Sequence, residues 1–163
     1  MTACFEGFRA KMRQHGHDAG ALDQPFLVGT YVAPTDAEAR AETRHVVWYY
    51  HVLGSLLPGA QSLPSPASFE AYPKASKRLS AVTKDDVWER GSCFSSPGRV
   101  AEMLKRHMHR TGMNHIALEM RIGGLEHEKV MRSIELLARK VMPEVRAAAV
   151  DGITACVSIG EPL

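Results

Sequence analysis

The sequence predicts an α/β protein built on parallel strands, and three observations carry the prediction. Two short runs of β-forming residues, "PFLVGTYVA" from Pro25 and "HIALEM" from His115, are bounded by turn residues. The stretches before, between and after them repeat their apolar residues with a helical period. Strands that alternate with helices pair in parallel through right-handed crossovers.

The elements follow in order. Over Ala3 to His15, Phe5, Phe8 and Met12 share a helical face, and Gly16 suits a left-handed cap. Pro25 and Pro34 bracket the first strand, whose unbroken apolar run predicts burial on both faces. Thr35, Asp36, Ala37 and Glu38 form a capping box, so a helix starts there and is expected to reach Leu53. From Gly54 to Leu79, Pro, Ser and Gly cluster without a regular period, which predicts an insertion or lid. A short helix is expected from Thr83 to Glu89.

Ser96 followed by Pro97 starts the next helix, with Ser as N-cap and Pro at the first helical position. Val100, Met103 and Leu104 stripe this helix and Gly112 ends it. In the strand after it, Ile116, Leu118 and Met120 point one way, with Ala117, Glu119 and Arg121 pointing the other. The last helix is expected from His127 to Val141, striped by Val130, Ile134, Leu137 and Val141 and stopped by Pro143. The strand-like run Ile153 to Ile159 has no assigned place. The expected division is one domain over residues 1–146, then a tail from 147 to 163.

At 163 residues, 45% of them hydrophobic and 23% charged, the composition is that of a water-soluble globular protein with a real core. Twenty Lys and Arg against 18 Asp and Glu, signs interspersed, leave a net charge of +2. That balance builds no long-range field for nucleic acid or membrane. No run approaches the roughly 20 apolar residues of a membrane span, and the amino terminus has no signal-peptide core. Cys4, Cys93 and Cys156 are odd in number and widely spaced, which favours a reducing, cytoplasmic setting over a disulfide framework. No metal site is expected. His107 and His109 are two apart on a helix and face different ways, and H-E-x-x-H is absent.

The combination of "YVAPTDAEAR", the Pro-rich insertion and "SSPGRVAEMLKRHMHRTGMNHIALEMRIGGLEHEKVMRSIELLARKVMP" resembles the C-terminal part of the luciferase-like flavin-dependent monooxygenases. The resemblance spans about Phe5 to Arg146 and is most specific in the last 50 residues. It implies the C-terminal portion of a (β/α)8 barrel, two or three parallel strands with packed helices and incomplete as a barrel. The implied activity is insertion of an oxygen atom from O2 into an organic substrate by reduced flavin, usually FMN. A full barrel needs about 250 residues. This chain therefore resembles a truncated member, or a subunit that self-associates or completes a barrel with another chain. Ser95, Ser96, Pro97 and Gly98 stand where the family has Gly, a small polar residue, Pro and Glu.

Loops at the carboxyl ends of barrel strands build the active site. On that basis the pocket candidates for flavin or substrate are Arg121, an anion-holding fork at a strand end; Gly123 and Gly124, a tight turn that lets a ring approach the backbone; Tyr31; and Trp48 and His51 on the first long helix. Each has a plainer reading: an internal ion pair for Arg121, a simple turn for the glycines, core packing for the aromatics. No catalytic triad or phosphate-binding loop is visible, as befits chemistry carried by a cofactor.

Overall fold

The structure is a computed structural model, and it describes residues 2–57, 72–113 and 115–150. Helix α1 (Thr2–Gln14) leads into strand β1 (Pro25–Val32). Helices α2 (Asp36–Glu42), α3 (Val46–Leu56), α4 (Tyr72–Ser80) and α5 (Lys84–Asp86) follow, the last widening into a π turn at Val87–Gly91. Strand β2 (Cys93–Ser95), helix α6 (Pro97–Thr111) and strand β3 (His115–Glu119) come next. Helix α7 (His127–Leu136) continues through a π segment, Leu137–Val141, into α8 (Met142–Val150).

The three strands are parallel and lie in the order β2-β1-β3. The sheet is open. Three consecutive strands of a (β/α)8 barrel would place the second in the middle; here the first is central.

Side-chain alternation along the strands makes two cores. Val28 and Val32 of β1 and Cys93 of β2 pack on one face against Val100, Leu104 and Met108 of α6 and Leu137, Val141 and Val145 of the last helix. Ile116 and Leu118 join this core, as read from "HIALEM", whereas Met120, one residue past the end of β3, packs against both cores. On the other face Tyr31 and Phe94 meet Ala39 of α2, Val46 of α3 and Val87. Cover on this second face is incomplete: Leu27, in the central strand, is 63% exposed, against the expectation of a strand buried on both sides. Strand β2 is too short to flank it, since it pairs only with Thr30 to Val32.

Several expectations change for local reasons. The helix expected to run to Leu53 breaks at Thr43. Its hydroxyl donates to the Ala39 carbonyl at 2.7 Å and accepts from the Trp88 indole at 3.1 Å, and the Val46 and Trp48 amides reach back only three residues. Ser96 makes no side-chain cap. The Ser96 amide instead donates to Asp36 Oδ1 at 2.8 Å, and the Ser95 hydroxyl donates to the same oxygen at 2.6 Å. Pro143 does not stop the last helix. The π segment ends at Val141, which puts Pro143 in the first turn of α8, where a missing N–H costs nothing. Ile134 is 38% exposed, and Ser133 takes the inward place, its Oγ accepting the Val32 amide at 2.7 Å.

Within the expected insertion, residues 58–71 lie outside the described residues, but Tyr72–Ser80 is helical and packs on α3. Gly54 makes that approach possible, since a Cβ there would lie 2.7 Å from Ser80 Oγ. The run Ile153 to Ile159 also lies outside the described residues, while the tail's first residues, 147–150, extend α8. Among the described residues no helix is long and apolar enough to cross a membrane, and no group of His, Cys, Asp or Glu could hold a metal ion.

Candidate functional site

Strand β1 leaves the sheet towards α2 on the Tyr31 face, whereas α7, which follows β3, contributes to both cores. In open parallel sheets, ligands bind in the crevice beyond the carboxyl ends of the strands. The two carboxyl-end junctions of this sheet differ. Between β1 and β2, Asp36 closes the gap through Ser95 and Ser96, with Arg99 3.4 Å from its other oxygen. Those hydrogen bonds hold the Asp36 carboxyl well below the usual carboxylate range. Between β1 and β3 the junction stays open. A crevice of about 310 Å³ lies between Ala41, Glu42, Arg44 and His45 on one side and Gly124, Leu125, Glu126 and Lys129 on the other.

The crevice has a rigid back wall. The Tyr31 hydroxyl, on a fully buried residue, donates to Glu42 Oε2 at 2.6 Å, and Arg132 Nη2 donates to both Glu42 oxygens at 2.7 and 2.8 Å. Burial, and then the adjacent Glu42, push the Tyr31 hydroxyl up to about 12. Burial alone would raise the Glu42 carboxyl, but the hydrogen bonds from Tyr31 and Arg132 outweigh it and hold it below its usual value. This cluster locks α2 and α7 onto β1.

The turn after β3 supplies the floor. Gly123 and Gly124 adopt φ of 56° and 87°. A Cβ on Gly123 would lie 2.9 Å from the Tyr49 Cβ, whereas one on Gly124 would meet nothing within 4 Å. Gly123 is thus a close-packing position and Gly124 borders open space.

The predicted site residues divide accordingly. Gly124 lines the crevice, and Tyr31 stands behind it through Glu42. Gly123 packs under Tyr49. Arg121 is exposed, makes no hydrogen bond or ion pair among the described residues, and is not one of the lining residues. On the same strand face, Glu119 accepts a long hydrogen bond of 3.4 Å from the Tyr49 hydroxyl. Trp48 is 61% exposed on α3, and His51 Nε2 lies 2.9 Å from the Val82 carbonyl oxygen, so neither joins the crevice. Glu42, Arg44, Lys129 and Arg132 escaped the sequence reading, because each looks like an ordinary helix-surface charge. A second cleft of about 320 Å³, lined by Cys4, Phe5, Phe8, Asp23, Gln24 and Pro25, lies where α1 meets the start of β1.

No protein-family model matches this sequence, and no curated protein matches it either.

Proposed function

We propose that this chain is a shortened relative of the luciferase-like flavin-dependent monooxygenases, or a subunit of one, rearranged so that β1 rather than β2 is central, with its ligand wall in the crevice beyond β1 and β3. The observation that carries the reading is the polar crevice at the carboxyl ends of two adjacent parallel strands, floored by the Gly123-Gly124 turn. That turn falls inside the stretch whose sequence resembles the family. Support also comes from the polarity of β3, apolar towards the helices and carrying Glu119 on the opposite face.

A crevice of about 310 Å³, with charged residues at half of its lining positions, suits the polar end of FMN rather than its ring system. A further body, from a second copy or another chain, supplies the ring's apolar walls. When bound, reduced flavin supplies the electrons that activate O2, while this chain's residues bind and orient. Arg44, Lys129 and the backbone at Gly124 face the ligand, with Glu42, Tyr31 and Arg132 keeping α2 and α7 in register behind it.

A second reading, a non-catalytic remnant stable through association with itself or a fuller chain, is favoured by one observation. Leu27 is 63% exposed at the centre of a parallel sheet, and among the described residues β3 has an open edge. Titrating the purified chain into FMN, with flavin fluorescence as readout and mass from light scattering, separates the two. The flavin reading expects saturable binding with Kd about 100 μM or tighter, about −5.5 kcal/mol. A dimer that leaves FMN fluorescence unchanged at millimolar protein overturns the flavin reading and leaves the remnant. A monomer that binds FMN tightly eliminates the remnant.

A further inference from the structure

We propose that the crevice beyond β1 and β3 holds a compact anion, a phosphate or carboxylate group, between Arg44 and Lys129. The inference deepens the functional reading above, and rests on it only for where the ligand sits. Its argument is the state of each charge at the crevice.

Four of the lining side chains are formally charged: Glu42, Arg44, Glu126 and Lys129. Glu42 is already engaged on both oxygens, with three of about four acceptor sites filled. Both its oxygens accept from Arg132, one accepts from Tyr31 as well, and the carboxyl is only 17% exposed. Glu126 is different. Its side chain is 71% exposed and its only ion pair among the described residues is with Lys129 at 2.8 Å, three residues on. Exposed pairs of this kind are worth about 0–1 kcal/mol, so a ligand anion can take Lys129 from Glu126 at little cost. Arg44 is exposed and has no hydrogen bond or ion pair among the described residues. Counting Arg132 behind the wall, three cations meet two carboxylates, and Glu42, the less exposed of the two, is the one already paired with Arg132. The remaining attraction is for negative charge.

Space agrees with charge. Nothing lies within 4 Å of a Cβ placed on Gly124, so the backbone there is open to an approaching group, and about 310 Å³ accommodates a phosphoryl group with part of what it is attached to. An arginine fork and a lysine point charge on facing elements suit planar carboxylate and tetrahedral phosphate alike.

Calorimetric titration with inorganic phosphate, against chloride at matched ionic strength, tests the site. The full chain is expected to show saturable binding with a low-millimolar Kd. Arg44→Gln with Lys129→Gln should weaken it about tenfold or more, while Arg139→Gln, a distant surface change on the same helical run, should leave it unchanged. Circular dichroism of each variant confirms folding. Non-saturable heats, or equal affinity in the wild type and the double variant, overturn the inference. Two further arms separate a ligand-borne phosphate from the free ion, and separate this inference from the flavin reading. FMN binding at least about tenfold tighter than riboflavin supports a flavin phosphate in the crevice. Phosphate binding with no effect of either flavin keeps the anion site and ends the flavin reading. Equal binding of FMN and riboflavin with no effect of phosphate does the reverse.

Discussion

Replacing Glu42 with alanine should be among the most damaging single changes on the crevice wall. The substitution leaves the Tyr31 hydroxyl, on a residue with no solvent exposure, without its acceptor, and frees Arg132 from a pair in which both carboxylate oxygens lie within 2.8 Å. Hydrogen bonds to charged groups contribute about 1.5–3 kcal/mol, and a buried group left unpaired costs about 1–3 kcal/mol. Arg132 is 45% exposed, so its share is discounted for solvent screening. The sum predicts a loss of about 3 kcal/mol. Tyr31→Phe keeps the ring and the Glu42–Arg132 pair, and should cost about 1.5 kcal/mol. Urea denaturation with circular dichroism reads both from shifts in midpoint at constant slope. Because the two residues share one hydrogen bond, the double variant should cost less than the two singles together, by about 1 kcal/mol. A Glu42→Ala loss below about 0.5 kcal/mol, within the range of an ordinary surface substitution, would refute the cluster as a structural lock.

Two more predictions concern backbone and pH. Gly123→Ala should destabilise by about 2–3 kcal/mol, because it adds a 2.9 Å contact with the Tyr49 Cβ to the cost of positive φ; Gly124→Ala carries the positive-φ cost alone, about 1 kcal/mol. Thermal midpoints in that order check the two roles, and the reverse order contradicts them. His107 sits 5.7 Å from the Phe26 ring, and burial, followed by Arg110 and Arg106, lowers its imidazole pKa. The unfolded chain therefore binds this proton more readily than the folded one. The contribution is fully present above about pH 6.5 and is lost as pH falls through that value towards the folded pKa. His107→Leu should lose less stability than the wild type between pH 7.5 and 5.5 in urea midpoints; parallel curves would remove His107 from the account.

What the sequence revealed follows physical range. Local chemistry was legible: the Thr35–Glu38 capping box, the left-handed cap at Gly16 with φ of 75°, the helix end at Gly112, and the shared face of Ile116 and Leu118 all appear as read. Effects that act across the chain were not. Asp36 caps Ser96 from 60 positions away, and Arg132 meets Glu42 from 90, pairs that no periodicity announces. Strand β2 is three residues long, below any window in which alternation can be seen. The last helix misled because a proline normally ends a helix, and the π segment that moves Pro143 into a first turn leaves no mark in composition. Of the site, Gly124 and Tyr31 were within reach of sequence, since a glycine pair after a strand and a tyrosine near a strand's end mark the carboxyl edge of a sheet. The charges that line the crevice were not.

Ligand bound beyond β1 and β3 would leave a local signature in the backbone amides there. Amide chemical shifts of the isotope-labelled chain during addition of FMN test it most directly. Saturable shifts are expected at Ala41 to His45 and Gly124 to Lys129, fading with distance from them. Shifts concentrated instead at Cys4, Phe5 and Phe8, in the cleft beside α1, would contradict it.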